Sequence, residues 1–386
     1  MAWPRDDAKL DRVRALMEER GLDAIVARTP DNVLYLTNFW GMKGYDACVF
    51  PREGDPVLVC LEASEEDAAR TAWTSDVRLF QGYHPDDPRP PLTRVLEVAR
   101  AACTEYETVG LELSLGTQAA DRMVGEPTTF TLEWFTGFGP DVEDATPVLV
   151  AARALKTEQE IERMRLANEI AAAAMEHCRL IIEPGMTEAE IAAEWEGFVH
   201  GEGTGWKGQV DLALGFSLVW SGPGIKTFTA TTSRPVVEGE PTLFEIWVCV
   251  DGYWCDHTKN LVVGELTPEY QELEQRLLGV YGAAVEHSRP GASLAELDRL
   301  VRAGIDEMGY PGQPSHPICH GVGARAHEPP YAHQAGGGEI AAGMVLAIEP
   351  GCYMEGGGGL RVEDNFLVTE DGAQKLSPFP DGIVAA

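Results

Sequence analysis

Positive charge, long apolar runs and paired cysteines are what this chain lacks. It holds 30 lysines and arginines against 62 aspartates and glutamates, a net charge of −32. That balance opposes binding to nucleic acid or to an anionic membrane, and it favours solubility, including in a salty or hot habitat. No run of 18 or more apolar residues occurs, so nothing reads as a membrane-spanning helix. The opening M-A-W-P-R-D-D is charged where a secretory leader needs an apolar segment. A cytoplasmic location is therefore expected. None of the eight cysteines forms a C-x-x-C pair, which argues against a structural zinc knuckle, and in a chain of this kind they are expected to stay reduced. There is no low-complexity linker and no short repeat.

What is present suits two domains with a substantial core. The chain has 386 residues, 44% of them apolar and 24% charged, an ordinary globular balance. Residues 7–20 show helical spacing closed by Gly21, and D-A-I-V-A reads as a strand. P-V-L-V-C-L, R-L-F-Q-G and T-V-G-L-E-L are further short strands, separated by the helical stretches E-E-D-A-A-R and L-T-R-V-L-E-V-A-R-A-A. That pattern predicts an α/β domain over 1–150. Helices near 157–182, 187–200 and 267–288, interleaved with strands, predict an α+β domain over 151–386.

Five side chains suited to divalent cations follow one another in the second domain: Glu245, Asp256, His320, Glu349 and Glu363. Glu245 lies in the apolar run L-F-E-I-W-V-C-V and Asp256 in Y-W-C-D-H-T, with Asp251-Gly252 between them. Asp-Gly between β-prone runs is a strong hairpin signal. With those two as the loop, Trp247 pairs with Asp256, and Glu245 shares that face because side chains alternate along a strand. Diagonal neighbours lie about 7–8 Å apart at the backbone, so the two carboxylates can converge. Cys255 then points to the other face. Glu349 in A-I-E-P-G and Glu363 in L-R-V-E-D flank a glycine-rich tip and read as a second hairpin. His320 stands in I-C-H-G-V-G, where glycines permit close backbone approach. Four carboxylates and one imidazole suit Mn or similar ions better than soft metals.

These stretches resemble the pita-bread superfamily of methionine aminopeptidase, aminopeptidase P, prolidase and creatinase. The matching motifs are G-Y-W-C-D-H-T, H-G-V-G-A-R-A-H-E-P-P, I-E-P-G and R-V-E-D. Upstream, T-P-D-N-V-L-Y-L-T-N-F and A-L-K-T-E-Q-E-I-E-R-M-R-L-A resemble the creatinase-type amino-terminal domain and the first helix of the catalytic domain. Their order and spacing together are highly specific, and the resemblance covers nearly the whole chain.

The resemblance implies an α/β amino-terminal domain, a pita-bread catalytic domain, a homodimer, and hydrolysis of an amide in small peptides of the Xaa-Pro kind. It implies two divalent ions, Mn, Co or Zn. Glu245 and Asp256 would hold one, while Asp256 and Glu363 bridge to a second that also takes His320 and Glu349. Two such ions share and acidify a water and polarise a carbonyl. By the same resemblance Glu349 accepts the proton of the attacking water and His327, in H-E-P-P, contacts substrate and stabilises charge on the former carbonyl oxygen. Three departures stand out. Glu245 replaces the usual aspartate, and the extra methylene moves the carboxylate. Phe228 and Thr229 occupy the region of a substrate-binding histidine, and Lys259 stands where many members have arginine. The glutamate also resembles metal-independent relatives of the creatinase and ectoine-hydrolase kind, which act on guanidino or cyclic amidine compounds, and that reading stays open as the alternative. A non-catalytic binding protein on the same fold is a third. His316 and His257 are expected to support the ligands or the structure, and a catalytic cysteine lacks an activating base.

Overall fold

The computed structural model describes residues 3–41, 44–113, 132–139, 142–227, 229–354, 356 and 358–386. The chain divides into two compact units, Met1–Arg153 and Ala154–Ala386. The sequence reading set the division at residue 150. No helix among the described residues is long and apolar enough to cross a membrane.

In the first unit six strands form one sheet, in the spatial order Val77–Phe80, Val57–Leu61, Ala47–Pro51, Ala24–Ala27, Val109–Leu111 and Glu143–Asp144. Its central strands are apolar throughout because both faces are covered. Ile25, Ala27, Cys48 and Phe50 pack against Leu10, Val13, Tyr35 and Leu149 from the helices Asp7–Glu19, Pro30–Thr37 and Thr146–Ala154. Their alternates Ala24, Val26, Ala47 and Val49 pack on the other face against Val95, Leu96 and Ala99 of Pro91–Ala102, and against Trp134. The T-P-D-N motif begins a helix: Pro30 sits in its first turn, and the buried Glu112 carboxylate accepts from the backbone N–H groups of Arg28 and Thr29.

The second unit opens with the helix Glu158–Ile181, followed by Glu188–Phe198. Each starts at a threonine whose side chain and a glutamate three residues on cap one another, Thr157 with Glu160 and Thr187 with Glu190. A four-stranded sheet follows, ordered Ile383–Ala385, Tyr253–Val262, Pro241–Val250 and Ala213–Ser221. A five-stranded antiparallel sheet holds Glu328–Tyr331, Cys319–Gly321, Val345–Ile348, Asp364–Thr369 and Gly372–Lys375. The helices Pro268–His287 and Leu294–Glu307 pack Leu273, Leu277, Leu297, Val301 and Ile305 against this sheet's Leu346, Ile348, Phe366 and Val368. The sequence reading left Leu294–Glu307 unassigned, although Ser293 caps it and its buried residues fall at helical spacing.

Candidate metal centre

The four- and five-stranded sheets of the second unit meet at their ligand-bearing strands. Asp251 and Gly252 have positive φ, 46° and 88°, which makes the tight reversal between the two longest strands possible. The pairing is Trp247 with Asp256 and Glu245 with Thr258, the register the Asp-Gly position predicts. Asp251 also accepts from Leu212 N at 2.8 Å, tying the turn to the neighbouring strand. An isolated bridge between Thr258 and Glu363 joins the sheets. Asn365 holds the backbone of Asp256 by both its N–H (3.0 Å) and its C=O (2.8 Å). In the second hairpin Gly351–Met354 pairs with Gly358–Arg361, and Val345–Ile348 with Asp364–Thr369. Glu349 and Glu363 emerge at the junction of these ladders.

Asp256, His320, Glu349 and Glu363 converge, and their side chains are 2, 0, 8 and 2% exposed. His320 Nε2 lies 3.6 Å from Asp256 Oδ2 and 3.4 Å from Glu349 Oε1. Its Nδ1 faces Gly321 O at 2.9 Å, so the proton belongs on Nδ1 and Nε2 presents its lone pair to the carboxylates. His327 Nε2 is 3.4 Å from Asp256 Oδ2, and this side chain is 23% exposed. Two overlapping sets of ligand atoms each fall within 4.8 Å: Asp256 with His320 and His327, and His320 with Glu349 and Glu363. Glu245 belongs to neither. Its carboxylate is paired with Arg361 Nη2 at 2.6 Å. Thr229 is exposed in the loop after Ser221, and Phe228 lies outside the described residues.

Charge in this cluster is out of balance. Burial, followed by the charges of Glu363, Glu349 and Glu245, drives the Asp256 carboxyl well above its usual range. Burial and Glu349 push Glu363 up to about 8. Burial also disfavours ionised Glu349, but His316 and His320 beside it outweigh that and hold it low. Burial opposes charge on His320 too, and Glu349 more than offsets it. Burial and the charge of His320 bring His327 down to about 3, leaving it neutral.

Several residues beside the ligands support them. His316 Nδ1 lies 3.1 Å from Glu349 Oε2, and its Nε2 meets Tyr353 OH at 3.0 Å, so it touches a ligand directly. Its position four residues before His320 was the available signal. Thr258 donates to Glu363 Oε2 (2.7 Å) and accepts from Arg361 Nε (2.6 Å). His257, on the other face of its strand from Asp256, meets Asn168 Oδ1 at 2.7 Å. All eight cysteines are buried and free, and burial raises the thiols of Cys255 and Cys319 and brings Cys352 to about 12, so none is a ready nucleophile.

With this geometry in hand, the comparisons with known proteins decide the family. The profile of metallopeptidase family M24 matches residues 162–370, more than half the chain, and that of the creatinase/prolidase N-terminal domain matches 9–123. The chain belongs to metallopeptidase family M24. It is accordingly a hydrolase, built from a creatinase-type amino-terminal domain and a pita-bread catalytic domain. Similar M24 relatives include YkvY of Bacillus subtilis, named as a dipeptidase, 27% identical over 97% of this chain and 99% of its own length. The Xaa-Pro dipeptidase of Lactobacillus delbrueckii subsp. lactis is 25% identical over 96% of both chains. Among solved structures, the prolidase from Pyrococcus horikoshii has a TM-score of 0.79 at 24% identity, covering 97% of this chain and 99% of that one. The Xaa-Pro dipeptidase from Bacillus anthracis gives 0.80 at 23% identity, covering 98% and 99%. These likenesses show a shared fold.

M24 members use divalent ions, and the residues here fit one. Asp256 Oδ2 and His320 Nε2 are both buried without a hydrogen-bond partner and face one another. Buried polar atoms are rarely left so, and a cation between them satisfies both. Three carboxylates and one imidazole form a hard-to-borderline donor set that matches Mn, Co or Zn.

Proposed function

We propose that this chain is a metal-dependent peptidase that hydrolyses the amide bond of short peptides of the Xaa-Pro kind. The observation that carries the reading is the facing pair of unpartnered atoms, Asp256 Oδ2 and His320 Nε2, inside a buried ring of carboxylates. Asp256, His320, Glu349 and Glu363 are the residues that would hold an ion. A divalent ion bound there supplies an acidified water and a polarised carbonyl.

The chain's own side chains do the rest. Glu349, kept ionised by His316, takes the proton of the attacking water and passes it to the departing amine. His327, more exposed than the four ligands, faces the substrate and hydrogen-bonds the carbonyl oxygen as it gains charge. Trp247, stacked on Phe216 at 5.3 Å and tilted toward His327 at 6.4 Å, lines the same space with an apolar wall. The second ion expected from the sequence depends on Glu245, whose pairing with Arg361 is taken up below. The reading carries with it the homodimer and the cytoplasmic location.

The test is hydrolysis of Xaa-Pro dipeptides and tripeptides by protein purified without a metal-affinity tag, with and without chelator. Activity lost on chelation, restored by Mn, and absent in Glu363→Gln and His320→Ala supports the reading. Hydrolysis that survives chelation assigns the chain to the metal-independent branch, and full activity in either variant overturns the ligand assignment.

A further inference from the structure

Glu245 is where the chain departs most from a two-ion centre, and the structure shows what its carboxylate does instead. The Arg361 guanidinium is buried, 3% exposed, and its Nη2 sits 2.6 Å from Glu245 Oε2. From there the same side chain reaches into the cluster: Nε donates to Thr258 Oγ1 at 2.6 Å and lies 3.9 Å from Glu363 Oε2, while Thr258 donates to Glu363 at 2.7 Å. Nη1 reaches Tyr353 OH at 3.4 Å. The backbone of Arg361 is fixed by pairing with Gly351 in the second hairpin. A row of groups, Glu245, Arg361, Thr258 and Glu363, therefore runs along the side of the cluster where a second ion would have to sit.

We infer that Arg361 serves as a built-in cation in place of a second metal ion, so that this chain binds one divalent ion tightly, at Asp256, His320, Glu349 and Glu363. The inference rests on the metallopeptidase reading above and narrows it. An ion on Glu245 Oε2, at a metal–oxygen bond of about 2.1 Å, stands within about 5 Å of a guanidinium nitrogen that never gives up its charge. Glu245 is also absent from both sets of atoms that converge within 4.8 Å. Its neighbour on that strand face is Trp247, directly across from Asp256 and 5% exposed, so an indole shares the strand face that carries both carboxylates. The Glu245 carboxylate meets the guanidinium through Nη2, as an ion pair.

The experiment is metal stoichiometry and electron paramagnetic resonance on the full chain, stripped with chelator and titrated with MnCl2. The expected result is one tightly bound Mn per chain with the spectrum of an isolated ion. Arg361→Gln, which removes the charge and keeps a polar side chain, should raise the count from one to two and produce exchange coupling. Glu245→Gln should leave the count at one with affinity changed less than about threefold. Two tight ions or a coupled spectrum in the wild type overturns the inference, as does loss of an ion in Glu245→Gln. Because the wild-type count decides by itself, failure of either variant to fold does not rescue it. No bound ion in the wild type overturns the metallopeptidase reading, and this inference with it.

Discussion

At the scale of single residues, the site is legible in proportion to how local each role is. Asp256, His320, Glu349 and Glu363 sit in short motifs whose neighbours already explain their placing, and the fold brings all four together. Glu245 belonged to the same reading on the same grounds, yet the fate of its carboxylate depends on Arg361, 116 positions along the chain. No local pattern reports that. His316 shows the same limit from the other side. As a sequence feature it is a histidine expected to support the ligands or the structure, and in space its Nδ1 lies 3.1 Å from Glu349 Oε2 and helps to hold that carboxyl low against its burial. This leads to a pH prediction. Replacing it, His316→Gln, removes the charge that lowers the Glu349 carboxyl, so that carboxyl titrates higher and loses its base function at a higher pH. The acid limb of kcat/KM should move up by about one pH unit or more, with the alkaline limb in place. A pH–rate profile of both proteins with the same peptide measures it, and an unmoved acid limb would show that another group sets that limb.

At the scale of elements, the hairpins were readable because glycine and aspartate at positive φ mark a reversal unambiguously. The helix Leu294–Glu307, left unassigned in the sequence, carries no ligand motif, and its only local signals are the Ser293 cap and the spacing of its buried residues. The strand Tyr253–Val262 carries one further consequence. Its Lys259, one of the departures noted in the sequence, is 2% exposed and donates to Asp364 Oδ1 at 2.5 Å, with Lys375 and Tyr281 each 3.1 Å from Oδ2. Burial pushes Asp364 up to about 6 even with two lysines beside it. Lys259→Met should therefore cost about 3 kcal/mol at pH 8, where Asp364 is ionised and short of a partner. Asp364 then titrates higher still in the variant, so the cost should shrink as pH falls toward about 6, where the wild-type carboxyl also becomes neutral, and stay level below that. Urea unfolding at pH 8 and pH 5 reads the difference. Pairing the change with Asp364→Asn should recover much of the loss at pH 8. An equal cost at both values would mean that the lysine matters through packing and not through its charge.

At the scale of the whole molecule, the charge of −32 is the property no single contact explains. Many of the visible ion pairs are local and exposed, such as Arg70 with Asp67 and Arg179 with Glu176 three residues apart, and pairs of that kind contribute little. They leave roughly half the carboxylates with no cation to match, so the folded surface repels itself, and folding brings those charges closer than they stand in the open chain. Salt acts on both effects with opposite sign. It weakens the local pairs, which lowers stability, and it screens the long-range repulsion, which raises it. The screening length falls from about 10 Å at 0.1 M to about 3 Å at 1 M, shorter than most spacings between surface charges but comparable to the contact of a close pair. Repulsion should therefore fade first, and the melting temperature should rise with NaCl. Each kcal/mol relieved is worth about 2–4 °C in units of 153 and 233 residues. A calorimetric melt between 0.1 and 1 M NaCl, with sucrose at matched osmolality as the control for general exclusion effects, separates the two. A rise with salt that sucrose does not reproduce identifies relieved repulsion, whereas a fall would mean that the local pairs, few as they are, outweigh the unmatched carboxylates.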